Sequence, residues 1–272
     1  MKKRSLWLRI PAALLAAGLV ILLAVMTMAF TGDPISAYRA DQAAKKYVIA
    51  SDTYRTMNLE LTDAVYNFKF GEYLVRASSS INPDIQFEIY CENGKVTRDS
   101  YQFDVIENGN VQCRFADEYA ILLKVRLEQA GLGGPNLFVD LDYEKAQEVD
   151  WYPGMPFDPY LPVAKSLQLY PDLTDVSIET TAEYLTAVAK LLTQYGYDFT
   201  HLGLYTFNDE TGCQINVDYI PVEKAHEPDF TDYLYQLHEQ HLEEEEKPKD
   251  WTDDTEDPNA PYVYFTEKRA ER

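Results

Sequence analysis

Two histidines, a row of carboxylates and a triple serine are the residues whose types invite chemistry. His238-Glu239-Gln240-His241 suggests zinc, since imidazole nitrogens and a nearby carboxylate are ligands that ion accepts. The metalloprotease arrangement needs histidines at i and i+4 with a glutamate poised as base, whereas the spacing here is i, i+3. Glu245 can complete a facial set with His238 and His241 on one helix face. That set would serve a metal-assisted hydrolase. Solvated helix residues are the plainer reading, because a real site also needs groups that orient its ligands.

Asp140, Asp142 and Glu144 alternate along one face of an expected strand. Hard divalent cations need several converging oxygens, and no glycine-turn calcium loop accompanies these three. Ser78-Ser79-Ser80 has no nucleophile-elbow context, and the four histidines (His201, His226, His238, His241) give a serine or cysteine hydrolase little support. Gly131-Leu132-Gly133-Gly134 follows a helix, which is the wrong setting for a dinucleotide fingerprint. Three cysteines permit at most one disulfide. Cys91 and Cys113 are the pair closest in sequence, and Cys213 completes the set; an inward strand position makes Cys91 a candidate buried thiol. No catalytic, cofactor or metal residue is therefore assigned, and an enzyme is not expected.

The elements that would position these residues begin with a membrane signal. Lys2, Lys3, Arg4 and Arg9 precede an uncharged apolar run over residues 10–30. At a helical rise of about 1.5 Å per residue the run reaches roughly 31 Å, enough for a bilayer core of roughly 30 Å. Pro11 falls in the first turn, where its missing N–H breaks no bond. The basic cap over residues 1–9 predicts an N-terminus inside the cell membrane and an extracytoplasmic remainder. A cleaved signal is the competing reading, with Thr27 and Ala29 at a cleavage spacing, but signal apolar regions run only about 7–15 residues. No cysteine near the end of the run supports a lipoprotein anchor, and no wall-sorting motif lies near the C-terminus.

The 272 residues carry a net charge of −21, and the exterior part is more negative still because four cations lie in the cap. Such a field excludes nucleic acid as a partner and disfavours anionic lipid surfaces. It suits cationic partners or divalent ions, although simple solubility accounts for it as well.

Beyond the span the pattern predicts an α+β chain with two small helix-plus-antiparallel-meander units. The first, over residues 31–116, opens with a helix from Asp33-Pro34 to residue 50. Alternation follows at Tyr66/Phe68/Phe70, Tyr73/Val75/Ala77 and Ile85/Phe87/Ile89/Cys91. Asn93-Gly94 then predicts a tight hairpin, with residues 96–105 as the return strand. Residues 117–136 read as a helix and a glycine-rich joint. The second unit, residues 137–242, holds a strand at 136–143 and a proline-stiffened arm at 150–162. A helix with Thr180 and Glu183 in capping-box spacing comes next, closed by Gly196. Strands at 202–207 and 214–220 follow, the latter with Ile215, Val217 and Tyr219 on one face, and a helix at 229–246 ends the unit. Residues 243–272 read as an acidic, largely disordered tail.

Gly32-Asp33-Pro34-Ile35-Ser36, Ala43-Ala44-Lys45-Lys46-Tyr47, residues 65–73 (Val-Tyr-Asn-Phe-Lys-Phe-Gly-Glu-Tyr) and Gly94-Lys95-Val96 resemble the YfjL-like family of uncharacterised bacterial proteins. The likeness is best over residues 6–105 and continues more thinly to about residue 222. It implies one N-terminal membrane segment and a two-part exterior, and it implies no reaction. The expectation is a membrane-embedded protein displaying a non-catalytic binding or interaction module, with a protein or peptide as one possible partner. The alternatives are an envelope hydrolase using His238, His241 and Glu245, or a secreted protein.

Overall fold

The computed structural model describes residues 3–142, 149–245 and 259–266. The chain forms two compact units, Met1–Val111 with Tyr152–Gly154, and Gln112–Trp151 with Met155–Arg272. It is α+β. Helix α1 (Lys3–Thr31) starts ahead of the apolar run, so Pro11 lies inside it and not in the first turn as expected, and its missing N–H forgoes a helical bond; α2 (Pro34–Ala50) follows directly. Among the described residues the N-terminal helix is the one long and apolar enough to cross a membrane, and none of its apolar window is buried.

The joint between α1 and α2 is built rather than merely flexible. Gly32 takes φ +73°, where a Cβ would meet the Tyr73 hydroxyl and lie 2.8 Å from Tyr66 Cβ. Asp33 caps α2, its Oδ1 accepting from the Ile35 and Ser36 N–H groups at 3.0 Å each. The Asp33 N–H donates to the Tyr73 hydroxyl (2.9 Å), which donates back to the Asp33 carbonyl (3.1 Å).

The first sheet contains β1 (Leu59–Leu61), β2 (Val65–Asn67), β3 (Glu72–Ser79), β4 (Gln86–Glu92) and β5 (Lys95–Asp99), all antiparallel; β1 and β2 both pair with β3. Asn93 and Gly94 turn the β4–β5 hairpin with φ of 51° and 72°, the left-handed pair that a two-residue turn demands. Val75, Ala77, Phe87, Ile89 and Cys91 form the inward face and pack with Ala40 and Ala44 of α2. The expected return strand stops at Asp99, and a π-helical turn (Gln102–Ile106) follows. Tyr47 and Tyr54 both donate to Asp99 Oδ2, at 2.6 and 2.8 Å, which anchors the strand end.

Helix α4 (Gly109–Gln129) follows the short α3 (Asp52–Arg55) in helix order and begins earlier than the sequence pattern placed it. The unit boundary falls inside α4, and residues 131–135 lie within the second unit. The second sheet runs β10-β9-β8-β7-β6, comprising β6 (Asn136–Leu141), β7 (Lys165–Tyr170), β8 (His201–Phe207), β9 (Gln214–Pro221) and β10 (Tyr262–Thr266). It is not a pure meander. Helix α5 (Ile178–Tyr195) links β7 to β8 as a crossover, so that pair is parallel. Ser177, not Thr180, caps α5, and Gly196 closes it at φ +70° as expected. One sheet face is apolar (Val139, Leu167, Leu169, Leu202, Leu204, Ile215, Val217, Val263) and shares a core with Leu185, Val188 and Leu192 of α5.

The tail expectation changes: residues 262–266 fall in the segment expected to be largely disordered, yet Tyr262–Thr266 pairs with β9 along five residues. Three aromatics and a valine there favour a strand, and the acidic composition of the segment before it masked them. Residues 246–258, which hold most of that acidic run, lie outside the described residues. The arm at 150–162 carries no regular structure, but its 155–158 portion is pinned within the second unit. Phe157 meets Phe115 and Tyr119, the Met155 carbonyl accepts from Arg114 (2.6 Å), and the Asp158 carbonyl accepts from Tyr119 (3.0 Å).

Candidate functional site

Two of the three zinc candidates pack against a neighbouring strand. His238 and His241 lie on α6 (Phe230–Glu245), where the His238 ring meets Phe265 and the His241 ring meets Tyr262 and Tyr264. The two imidazoles thus cover an edge strand, which would otherwise be an open template for pairing. The Glu245 side chain lies outside the described residues, as does Glu144. Among the described residues no three His, Cys, Asp or Glu side chains gather as a metal site. Ser78 and Ser79 are ladder residues of β3, and the Ser79 hydroxyl donates to the Met57 carbonyl (3.1 Å).

The cysteines carry thiols, with Cys91 buried, Cys113 exposed and Cys213 intermediate. Burial pushes the Cys91 thiol up to about 11, and its Sγ donates to the Ala40 carbonyl at 3.8 Å. An inert packed thiol is the result. Lys165 is likewise buried. It donates to the Val163 and Leu161 carbonyls (2.7 and 3.2 Å) and lies over the Tyr119 ring, while burial pulls its pKa down to about 8.

Among the described residues each unit carries an open cavity on its sheet. That of the second unit, about 410 Å³, is lined by Phe138, Asp140, Ser166, Gln168, Tyr170, His201, Gly203, Tyr205, Asn216, Asp218 and Tyr219. Its floor is a local irregularity in the β8–β9 ladder. Leu202 pairs with Ile220 and Leu204 with Val217, so Asp218 and Tyr219 bulge opposite Gly203 alone. Tyr219 consequently adopts φ +53°, an uncommon conformation for a bulky residue. The bulge also overturns the expected alternation: Ile220 takes the inward position, and Tyr219 moves to the cavity rim.

Gly203 is there because its neighbours occupy the space of a side chain. A Cβ would collide with Gln168 Oε1 from β7 and come within 3.0 Å of Asp218 Oδ1 from β9. These two polar groups therefore lean over the glycine from opposite strands. Asp218 is half-buried; its Oδ1 accepts from the Tyr219 N–H (3.0 Å), and burial raises its carboxyl above the usual aspartate range. Asp140 adds a second carboxylate, and among the described residues no Lys or Arg lines the cavity. Phe138, Tyr170 and Tyr205 wall it with exposed rings, and the Tyr262 hydroxyl accepts from Asn216 Nδ2 at 2.5 Å.

Asp140, Ser166 and His201 stand in register across β6, β7 and β8. The serine occupies the middle position, whereas nucleophilic catalysis needs the imidazole between serine and carboxylate. His201 Nδ1 is instead paired with the Thr200 hydroxyl at 3.0 Å.

Of the residues singled out from sequence, Asp140 reaches the cavity through its strand position. Gly203, Gln168 and Asp218 were missed. A glycine between Leu202 and Leu204, inside an otherwise regular strand, was the available signal, since it marks a bulge or a close approach.

Known proteins add one constraint. No curated protein matches the chain, and no solved structure does. Residues 7–100 match the YfjL-like N-terminal domain and residues 118–250 the YfjL-like C-terminal domain. The two matches cover most of the sequence, one beginning within the apolar helix and the other carrying the cavity, and the chain belongs to the YfjL-like family.

Proposed function

We propose that this is a single-pass membrane protein, N-terminus inside, whose extracytoplasmic part is a non-catalytic binding module. The binding surface is the open face of the second sheet. The observation that carries this reading is the glycine-floored cavity, where Gln168 and Asp218 converge over Gly203. A strand glycine and a tyrosine at positive φ weaken a ladder, and such concessions concentrate where a ligand is held. The basic residues ahead of the apolar run (Lys2, Lys3, Arg4 and Arg9) support the orientation, and the length of that run favours a retained anchor over a cleaved signal. The serine-centred row supports binding rather than acyl transfer.

The test has two readouts. A membrane-impermeant maleimide added to intact cells is expected to label exposed Cys113 before lysis, on a protein that retains its apolar helix. Labelling only after lysis, or a product starting at Phe30, overturns the anchored topology. In a thermal-shift panel of charged and neutral small molecules on the full-length protein, at least one hit is expected to be lost in Gly203→Ala. A panel in which no hit depends on Gly203 overturns the site.

A further inference from the structure

We infer that the cavity on the second sheet takes a small organic cation, an ammonium or guanidinium group on a short apolar body; this rests on the sheet-face binding reading above. The charges of the cavity lead there. Among the described residues Asp218 and Asp140 line it without any Lys or Arg, and the rest of its polar lining is hydroxyl, amide and imidazole. Asp218 is half withdrawn from water, and the hydrogen bond to it comes from the next residue along its own strand. A carboxylate so placed is poorly compensated, and a bound cation would restore what desolvation removed. Exposed rings of Phe138, Tyr170 and Tyr205 offer π-faces to the same charge and apolar area to the body that carries it.

Size and net charge narrow the occupant. About 410 Å³ falls in the range of small-molecule sites, roughly 300–1,000 Å³. The chain's own acidic segment and a second copy of this protein both bring negative charge to a negative cavity, with the whole chain at −21. A free small cation meets no such repulsion. The burial-raised carboxyl of Asp218 agrees with this, since a cation would draw it back toward the ionised form.

Full-length protein in nanodiscs of zwitterionic phosphatidylcholine, at about 0.15 M ionic strength, is titrated calorimetrically with cadaverine, agmatine and tyramine. The comparators are 1,5-pentanediol and glutarate, which match cadaverine in chain length. At least one amine is expected to bind about tenfold more tightly than the diol, with glutarate silent. Asp218→Asn is expected to weaken that amine by about tenfold or more, whereas Glu183→Gln, which removes a charge from an exposed helix position, leaves it unchanged. Thermal melts confirm that both variants are folded. Amine binding that is equal in Asp218→Asn, equal to the diol, or equally weakened by Glu183→Gln overturns the proposal. Should the diol or glutarate bind in a manner Gly203→Ala disturbs, the sheet-face reading stands and the cation falls. If nothing in the set binds, both fall.

Discussion

The two sheets carry open cavities of nearly equal size, about 420 Å³ on the first and about 410 Å³ on the second, each lined by two carboxylates but with different charge compensation. On the first, the two lining carboxylates, Glu88 and Asp104, have partners from their own unit. On the same sheet Arg98 forks onto buried Glu72 at 2.8 and 3.0 Å while stacking 3.8 Å from the Tyr90 ring centroid. Glu88 has Arg76 at 3.5 Å and the Tyr90 hydroxyl at 3.2 Å, and Asp104 accepts from the Ser100 hydroxyl. On the second, Asp140 and Asp218 meet no cationic lining residue among the described residues. Volume does not distinguish these surfaces; charge compensation does. The first face is a finished piece of structure, and the second is left unbalanced.

Breaking the finished face should cost most. Arg98→Ala strands a carboxylate whose side chain is only 3% exposed. Because the arginine itself is half in water, the expected loss is about 2 kcal/mol rather than the full cost of a buried pair. Urea unfolding of the full-length protein in micelles, followed by circular dichroism, measures it. The converse change finishes the second face. Gln168→Arg places a guanidinium beside Asp218, and a gain of about 1 kcal/mol is expected together with loss of amine binding. A destabilised Gln168→Arg would mean that Asp218 is already compensated.

A smaller effect tests the imbalance through pH. The folded carboxyl of Asp218 is raised above its unfolded value, so the folded state holds that proton more tightly. Its stabilising contribution is complete below the unfolded pKa and is lost as pH rises through the folded one. Asp218→Asn should thus be more stable than the parent near neutrality. That advantage shrinks as pH falls toward the ordinary aspartate value, and paired melts across acidic pH follow it. Smallest of all, Arg76→Ala removes a pair at 3.5 Å whose arginine is mostly exposed, and a change below about 0.5 kcal/mol is expected from the same unfolding curves.

How much of this was legible depends on the range of the interactions. The apolar run, the Asp33-Pro34 helix start, the Asn93-Gly94 turn and the Gly196 helix stop were all readable in advance, and the structure has them in place. Strand β7 was not, because the chain before it is an irregular proline-rich arm and buried Lys165 disguises its inward face. Strand β10 hid behind an acidic segment. Tyr219 was assigned the wrong face because a two-residue bulge shifts every later side chain, and periodicity carries no record of it.

The sequence by itself determined the long apolar helix, the α+β character and the family, since hydropathy, caps and turns depend on residues a few positions apart. It also set the net charge of −21. Only the tertiary structure decided where a ligand could sit. Asp140, Gln168, Gly203 and Asp218 come from four strands, and a parallel crossover through α5 together with one bulge brings them onto a single face. Register across a sheet is a long-range property, and it turns four scattered residues into one unbalanced cavity.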